Sequence, residues 1–193
     1  MTSVSGNVQP TVLGFCYPTP VLAAHREPAA KTVITARDTR WLRGTRKSIS
    51  LLGGVLGAIE ASEAGAEDAI LIRDGVVAEG TSSNVFVVTT EGQGRMRIAT
   101  PSLESAPILA GVTRDLLIEA APEIEVRTIH QSELERASEV MLAGTLTMVT
   151  SVLAIDGRKV GDGTIGPAAR MLLDRLVGAI RSRRGAEAAV AGR

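Results

Sequence analysis

The sequence predicts a mixed α/β domain whose sheet is mostly antiparallel and whose helices pack against it. Three observations predict this. Strand-like segments outnumber helical ones, the two kinds come in mixed order along the chain, and tight Asp-Gly turns (Asp74-Gly75 and Asp156-Gly157) separate apolar runs. At 193 residues and 45% hydrophobic content, the chain can bury one substantial core. One domain is therefore expected over residues 1–182. The Ala/Gly-rich tail, 183–193, lacks an apolar period and reads as frayed or disordered.

The elements follow in order. "PTVLGF" (10–15) and "KTVITA" (31–36) read as strands joined by a Pro- and Ala-rich connection. A basic stretch comes next, carrying Arg37, Arg40, Arg43, Arg46 and Lys47. From Ser48, the residues Leu51, Leu52, Val55, Leu56 and Ile59 recur at helical spacing, which predicts a buried or half-buried helix closed by Gly65. "EDAILI", "VVAEG", "SNVFVV" and "RMRIAT" are short β-rich segments and predict an antiparallel meander. "GVTRDLLIEAAPE" is an amphipathic helix with Val112, Leu116, Leu117 and Ala120 on one face and Pro122 as its stop. "EVRTIH" reads as a strand and "QSELERAS" as a short helix. "EVMLAGT" and "VTSVLAIDGRKV" return to strand, and Pro167 opens the last helix.

Composition excludes several classes of function. Twenty-one basic side chains balance twenty-one acidic ones, and aromatics make up 2% of the chain, so no nucleic-acid partner is expected. The basic stretch then reads as a solvated or anion-facing segment. Cys16 is alone, and His25 and His130 are far apart, so neither a disulfide nor a zinc site is expected. The first residues lack a basic and apolar leader, and no apolar run approaches the roughly 20 residues of a membrane span. A soluble protein of the reducing cytoplasm is the expectation.

One motif misleads. "GDGTIG" (161–166) has the G-x-G-x-x-G spacing of a dinucleotide-binding turn. Such a unit needs a further parallel strand and an acid after its helix, and the sequence beyond Gly166 offers neither, so a Gly-rich turn before a helix is the better reading.

Four other features carry chemistry only in combination. Lys47 alone reads as a surface lysine, but its place before the apolar helix also suits a partly desolvated amine nucleophile. Glu79, at the end of an apolar run and followed by Gly80, reads either as a strand-end acid paired with an arginine or as the counter-charge of a protonated pyridine nitrogen. A carboxylate in the second role favours the ring proton by roughly 1.4–4 kcal/mol. Gly111, with the amides of Val112 and Thr113 and the Thr113 hydroxyl, makes a helix start that is either a plain cap or a phosphate cradle. Gly144 and Thr145 offer a second turn of the same kind.

The order of these motifs resembles the class IV aminotransferases, the fold-type-IV pyridoxal-phosphate enzymes, and most closely the D-amino-acid aminotransferase branch. "DTRWLRGTRKSISLLGGVLGAIEASEAG", "VVAEGTSSNVFVV", "PILAGVTRDLLIEAA" and "IDGRKVGDGTIGP" carry the resemblance, which runs from about Pro10 to Ile180. It implies the large C-terminal domain of that fold, with pyridoxal 5'-phosphate as cofactor. It implies Lys47 as the Schiff-base lysine and general acid/base, and Glu79 as the partner of the pyridine nitrogen. Leu109 would pack on the ring, and Val112, Thr113 and Thr145 would hold the phosphate, with Ser82 and Ser83 ordering the loop beside the ring. The implied reaction moves an amino group between a D-amino acid and a 2-oxo acid, in a homodimer. A lyase such as aminodeoxychorismate lyase, or a branched-chain or R-selective amine transaminase, shares the fold. "LAGTLTMVTSV" departs from the family's usual T-x-x-E-V-x-P-V. The resemblance also begins where the family's second domain begins. A truncated, inactive domain is the corresponding non-enzyme expectation.

Overall fold

The computed structural model describes residues 11–16, 18, 22–41 and 44–191. Its strands are β1 (Ala29–Arg37), β2 (Asp68–Arg73), β3 (Val76–Gly80), β4 (Asn84–Glu91), β5 (Arg95–Pro101), β6 (Glu125–Arg127), β7 (Glu139–Gly144), β8 (Met148–Ile155) and β9 (Arg158–Lys159). Its helices are α1 (Leu52–Glu63), α2 (Val112–Ala120), α3 (Gln131–Leu134) and α4 (Pro167–Ala191).

One nine-stranded sheet runs in the order β3-β2-β1-β8-β7-β4-β5-β6, with β9 on β8. The β1–β2, β1–β8 and β5–β6 ladders are parallel and the rest antiparallel, so the expected mixed sheet is present. The meander expected over β2 to β5 is not. Two hairpins form, β2–β3 and β4–β5, but β2 pairs onward with β1, and β4 with β7. Residues 81–83 therefore connect opposite halves of the sheet. The sheet also curls: past β6 the chain comes back to β3, where Val76 bridges His130 and the Val77 amide donates to the Ile129 carbonyl at 2.9 Å. Both Asp-Gly turns take the conformation that a two-residue hairpin needs, with positive φ at Asp74 and Gly75 and at Asp156 and Gly157.

The strands bury both faces, and their period of two sorts the core. Phe86 and Val88 of β4 pack with Leu117 of α2 and Leu172, Leu173 and Leu176 of α4. The alternate residues Val85 and Val87 face the interior of the curl, with Val33, Ile70, Val140 and Val152. A third, smaller cluster of Ala36, Ala61, Ala69, Leu71, Ala78 and Ile108 seats α1 on β1, β2 and β3.

Several expectations are corrected. Residues 11–16 form no strand, and Pro10 lies outside the described residues. Helix α1 starts at Leu52 rather than Ser48, after the Ser48 hydroxyl accepts the Ser50 amide at 3.3 Å, a local bond that competes with helix. Its apolar stripe does not pack inward. Gly57 and Ala61 are buried, whereas Leu52, Val55, Leu56 and Ile59 are exposed, Leu52 at 69%. The small face wins because it lets the helix backbone lie close to β2 and to Thr81. In α2 the packed residues are Thr113, Arg114 and Leu117, and Val112 is exposed. The segment read as tail is helical through Ala191, consistent with its Ala, Glu and Arg content.

The turn at 161–166 leads into α4, whose first amides are already taken. Glu139 Oε1 accepts the Ala168 amide at 2.9 Å and Oε2 accepts the Ala169 amide at 3.0 Å. A pyrophosphate would need the place this carboxylate fills, which agrees with the rejection of a dinucleotide fingerprint. Glu139→Ala is expected to lower stability by about 1–2 kcal/mol through loss of this cap, read from the urea midpoint at unchanged slope.

Candidate active site

Glu79 is the penultimate residue of β3, and a tight turn at Gly80 follows it. The Gly80 amide donates to the Ser83 carbonyl at 2.7 Å, and a Cβ on Gly80 would lie 2.4 Å from Ser83 Oγ. The chain thus reverses at once beyond Glu79, leaving its carboxylate buried and facing the segment before α2. There Glu79 Oε2 accepts the Leu109 amide at 3.1 Å and the Asn84 side-chain amide at 3.3 Å. Asn84 also donates to the Leu109 carbonyl at 3.0 Å, tying β4 to this segment. A Cβ on Gly111 would lie 2.0 Å from Asn84 Oδ1, so glycine is required here too.

The other oxygen of Glu79, Oε1, accepts Arg40 Nη1. Arg40 is itself gripped by Asp38, through Nε at 2.9 Å and Nη2 at 3.0 Å, and Arg73 Nε reaches Asp38 Oδ2 at 3.2 Å. The sequence places Arg40 in a solvated basic stretch; it is instead largely buried between two carboxylates, because buried acids require cationic partners. The signal for it in the sequence is Asp38, two residues earlier, together with an acid ending an apolar strand. Arg43, of the same stretch, lies outside the described residues.

Every group in reach of Glu79 is a donor, so the geometry uses it as an ionised acceptor. Burial opposes this and pushes its carboxyl above the usual glutamate range, while Arg40 and the Leu109 amide pull it down. For Asp38 burial also acts upward, but Arg40 and Arg73 together hold the carboxyl below the ordinary aspartate range. Burial disfavours the Arg40 charge, yet Asp38 and Glu79 more than compensate and hold it more firmly protonated than usual.

Of the remaining predicted residues, Leu109 meets this acid directly through its amide. Thr113 is buried in the first turn of α2, and Leu109 is half-buried before it. Unlike α4, α2 starts at Gly111 with no side-chain cap, which leaves first-turn amides for an anion. Thr145 is exposed on the β7–β8 turn. Its neighbour Gly144 lies against Ser82 and Ser83, and Met148 closes the turn in the left-handed region with φ 56°. Ser82 is exposed, and Ser83 Oγ is buried with no hydrogen-bond partner among the described residues. Lys47 departs most from expectation. It is exposed on the irregular segment before α1, where water reaches the amine, so the partial desolvation expected of it is absent. Among the described residues no helix is long and apolar enough to cross a membrane, and no group of three or more His, Cys, Asp or Glu could hold a metal.

Comparison with known proteins shows the family. The family model for "Amino-transferase class IV" matches residues 2–155. D-alanine aminotransferase of Bacillus licheniformis is 36% identical over 177 residues, covering 85% of this chain and 60% of the relative. A probable branched-chain-amino-acid aminotransferase of Aquifex aeolicus is 37% identical over 164 residues, covering 78% and 51% respectively. Among solved structures, a T.th. branched-chain amino acid aminotransferase complexed with N-(5'-phosphopyridoxyl)-L-glutamate superposes with a TM-score of 0.70 at 31% identity, covering 79% of this chain and 53% of that one. The fold is that of the fold-type-IV enzymes. The chain belongs to the class IV aminotransferase family, whose members are pyridoxal-phosphate-dependent. It spans between about half and three fifths of the length of these two relatives.

The residues present suit that cofactor. A buried carboxylate answers a ring nitrogen, an uncapped helix start with a buried threonine answers a phosphate, and the orphaned Ser83 hydroxyl lies between them in sequence.

The two acids of the cluster should give opposite pH signatures. Asp38, held below its unfolded value, contributes stability above about pH 4 that is lost as pH falls through its folded value. Glu79, pushed above its unfolded value, contributes stability at low pH that is lost as pH rises through its folded value. Urea midpoints between pH 3 and 7 should therefore lose acid-side steepness in Asp38→Asn and gain it in Glu79→Gln.

Proposed function

We propose that this chain is the pyridoxal-phosphate-binding part of an aminotransferase that exchanges an amino group between a D-amino acid and a 2-oxo acid. The observation that carries this reading is the buried Glu79 carboxylate, two of whose donors come from the segment leading into the uncapped start of α2 and from the asparagine tied to it. Bound there, pyridoxal phosphate supplies an electron sink for negative charge developing at the substrate carbon.

The chain's own residues do the rest. Glu79 holds the proton at the ring nitrogen. Leu109 gives a side chain to pack on the ring, while its amide fixes Glu79 from behind. Val112 and Thr113 bind phosphate oxygens through α2's first amides and the Thr113 hydroxyl, and Thr145 adds a donor from the β7–β8 turn. Ser82 and Ser83 order the loop between Glu79 and Asn84. Lys47 provides the amine for covalent attachment and, once free, carries the proton at the substrate α-carbon.

"EGTSSN" supports the D-amino-acid reading, by its resemblance to that branch. A second reading, a branched-chain amino acid as donor, is supported by the Aquifex relative and the T.th. structure. The experiment separates them. Purified protein mixed with pyridoxal phosphate should turn yellow, and borohydride should fix the cofactor on Lys47 in a tryptic digest, with Lys47→Ala abolishing the label. The yellow band should then bleach at least roughly tenfold faster with D-alanine than with L-leucine, a difference of about 1.4 kcal/mol in barrier. The reverse order would favour the branched-chain reading, and a colourless, unlabelled protein would refute both.

The reading includes a homodimer, supported by the exposed stripe of Leu52, Val55, Leu56 and Ile59 on α1, an apolar face that a second copy would cover. Sedimentation equilibrium is expected to give twice the chain mass, and Ile59→Glu should shift the protein towards monomer.

A further inference from the structure

The charges behind Glu79 form an alternating chain. Arg73 donates to Asp38, and its Nη2 also donates to the Arg40 carbonyl at 2.7 Å. Asp38, whose side chain is fully buried, takes two nitrogens of Arg40, and the third, Nη1, goes to Glu79. The guanidinium has no freedom to turn away: all three of its nitrogens are engaged, and Gly53 of α1 lies against its stem. Asp68, the buried acid of β2, is occupied elsewhere, by the Thr81 hydroxyl at 2.6 Å and by Lys31 at 3.5 Å.

A lone-pair count shows what this chain does. A carboxylate has about four acceptor sites, two on each oxygen. Oε2 of Glu79 spends both, on Asn84 and Leu109, and Oε1 spends one on Arg40. The site that remains is on the oxygen that Arg40 holds.

We propose that Arg40, fixed by Asp38 and Arg73, is a positioning residue that shares Glu79 Oε1 with the cofactor's ring nitrogen and restrains the proton affinity of that nitrogen. This rests on the reading of Glu79 as the ring-nitrogen partner. The charges give the sign. Arg73, Asp38, Arg40 and Glu79 sum to zero, so the ring nitrogen meets a neutral cluster rather than a bare carboxylate. Removing Arg40 leaves a net negative cluster, which favours the ring proton. Removing Asp38 leaves a net positive one, which disfavours it.

The test is the ¹⁵N chemical shift of pyridoxal phosphate labelled at the ring nitrogen, titrated on the full chain and its variants. Arg40→Gln is expected to raise the ring nitrogen's proton affinity about tenfold, and Asp38→Asn to lower it about tenfold. Arg40→Lys, which keeps the charge, should stay within about threefold of the parent. A purely structural role would move Arg40→Gln and Asp38→Asn in the same direction or leave both unchanged, and either result overturns the proposal. A cofactor-free readout covers loss of binding: ¹³C titration of the Glu79 carboxyl in the free chain should shift upward in Arg40→Gln, and no shift overturns the sharing of Oε1. Glu79→Gln separates the two levels. If it leaves the bound ¹⁵N shift unchanged, the assignment of Glu79 fails and this proposal with it. If it moves the shift while Arg40→Gln and Asp38→Asn do not, only this proposal fails.

Discussion

The buried pairing of Arg40 with Asp38 and Glu79 is the constraint around which this end of the molecule is arranged. A charge taken from water costs several kcal/mol unless it is paired, and removing one member of a buried pair typically costs about 3–5 kcal/mol. Asp38 follows β1, Arg73 ends β2 and Glu79 lies on the antiparallel β3, so the ion pairs tie together three adjacent strands. The backbone supports the same junction, since the Asp38 amide donates to the Ile72 carbonyl at 2.8 Å. Once Glu79 is held there, its second oxygen can hold the Leu109 amide, and the segment leading to α2 has a fixed approach.

Two helix starts show how similar sequences reach opposite ends. Both α2 and α4 follow a glycine, and both begin beside a strand of the central sheet. At α4 the chain's own Glu139 fills the N-terminus and spends its amides on stability. At α2 no side chain does so, and a buried threonine stands in the first turn. An N-terminus already satisfied from within has no further use for an anion, whereas an open one does.

Helix α1 makes a comparable choice. Its glycines and Ala61 lie towards the sheet and the Thr81 turn, and its larger apolar residues are left to solvent. Close backbone approach there brings the helix against Arg40 and the turn after Glu79. A face of leucines would hold it several ångströms further away, so the packing of α1 serves the buried charges rather than the apolar period.

Much of this was legible from local pattern. Short β-rich runs located β1 and the strands after it, Asp-Gly turns located two hairpins, Pro167 located the start of α4, and Glu79-Gly80 announced an acid at a reversal of the chain. These features depend on neighbours a few residues apart, which periodicity and turn chemistry report directly. What only the tertiary structure decided depends on distant partners. Arg40 and Glu79 are 39 positions apart, and Asp38, two residues before Arg40, is the one local sign of which arginine of the stretch is buried. The order of strands, the inward face of α1 and the exposure of Lys47 were settled in the same way. Each depends on which surface the folded chain brings opposite, and the sequence alone encodes that only through packing and the need to neutralise buried charge.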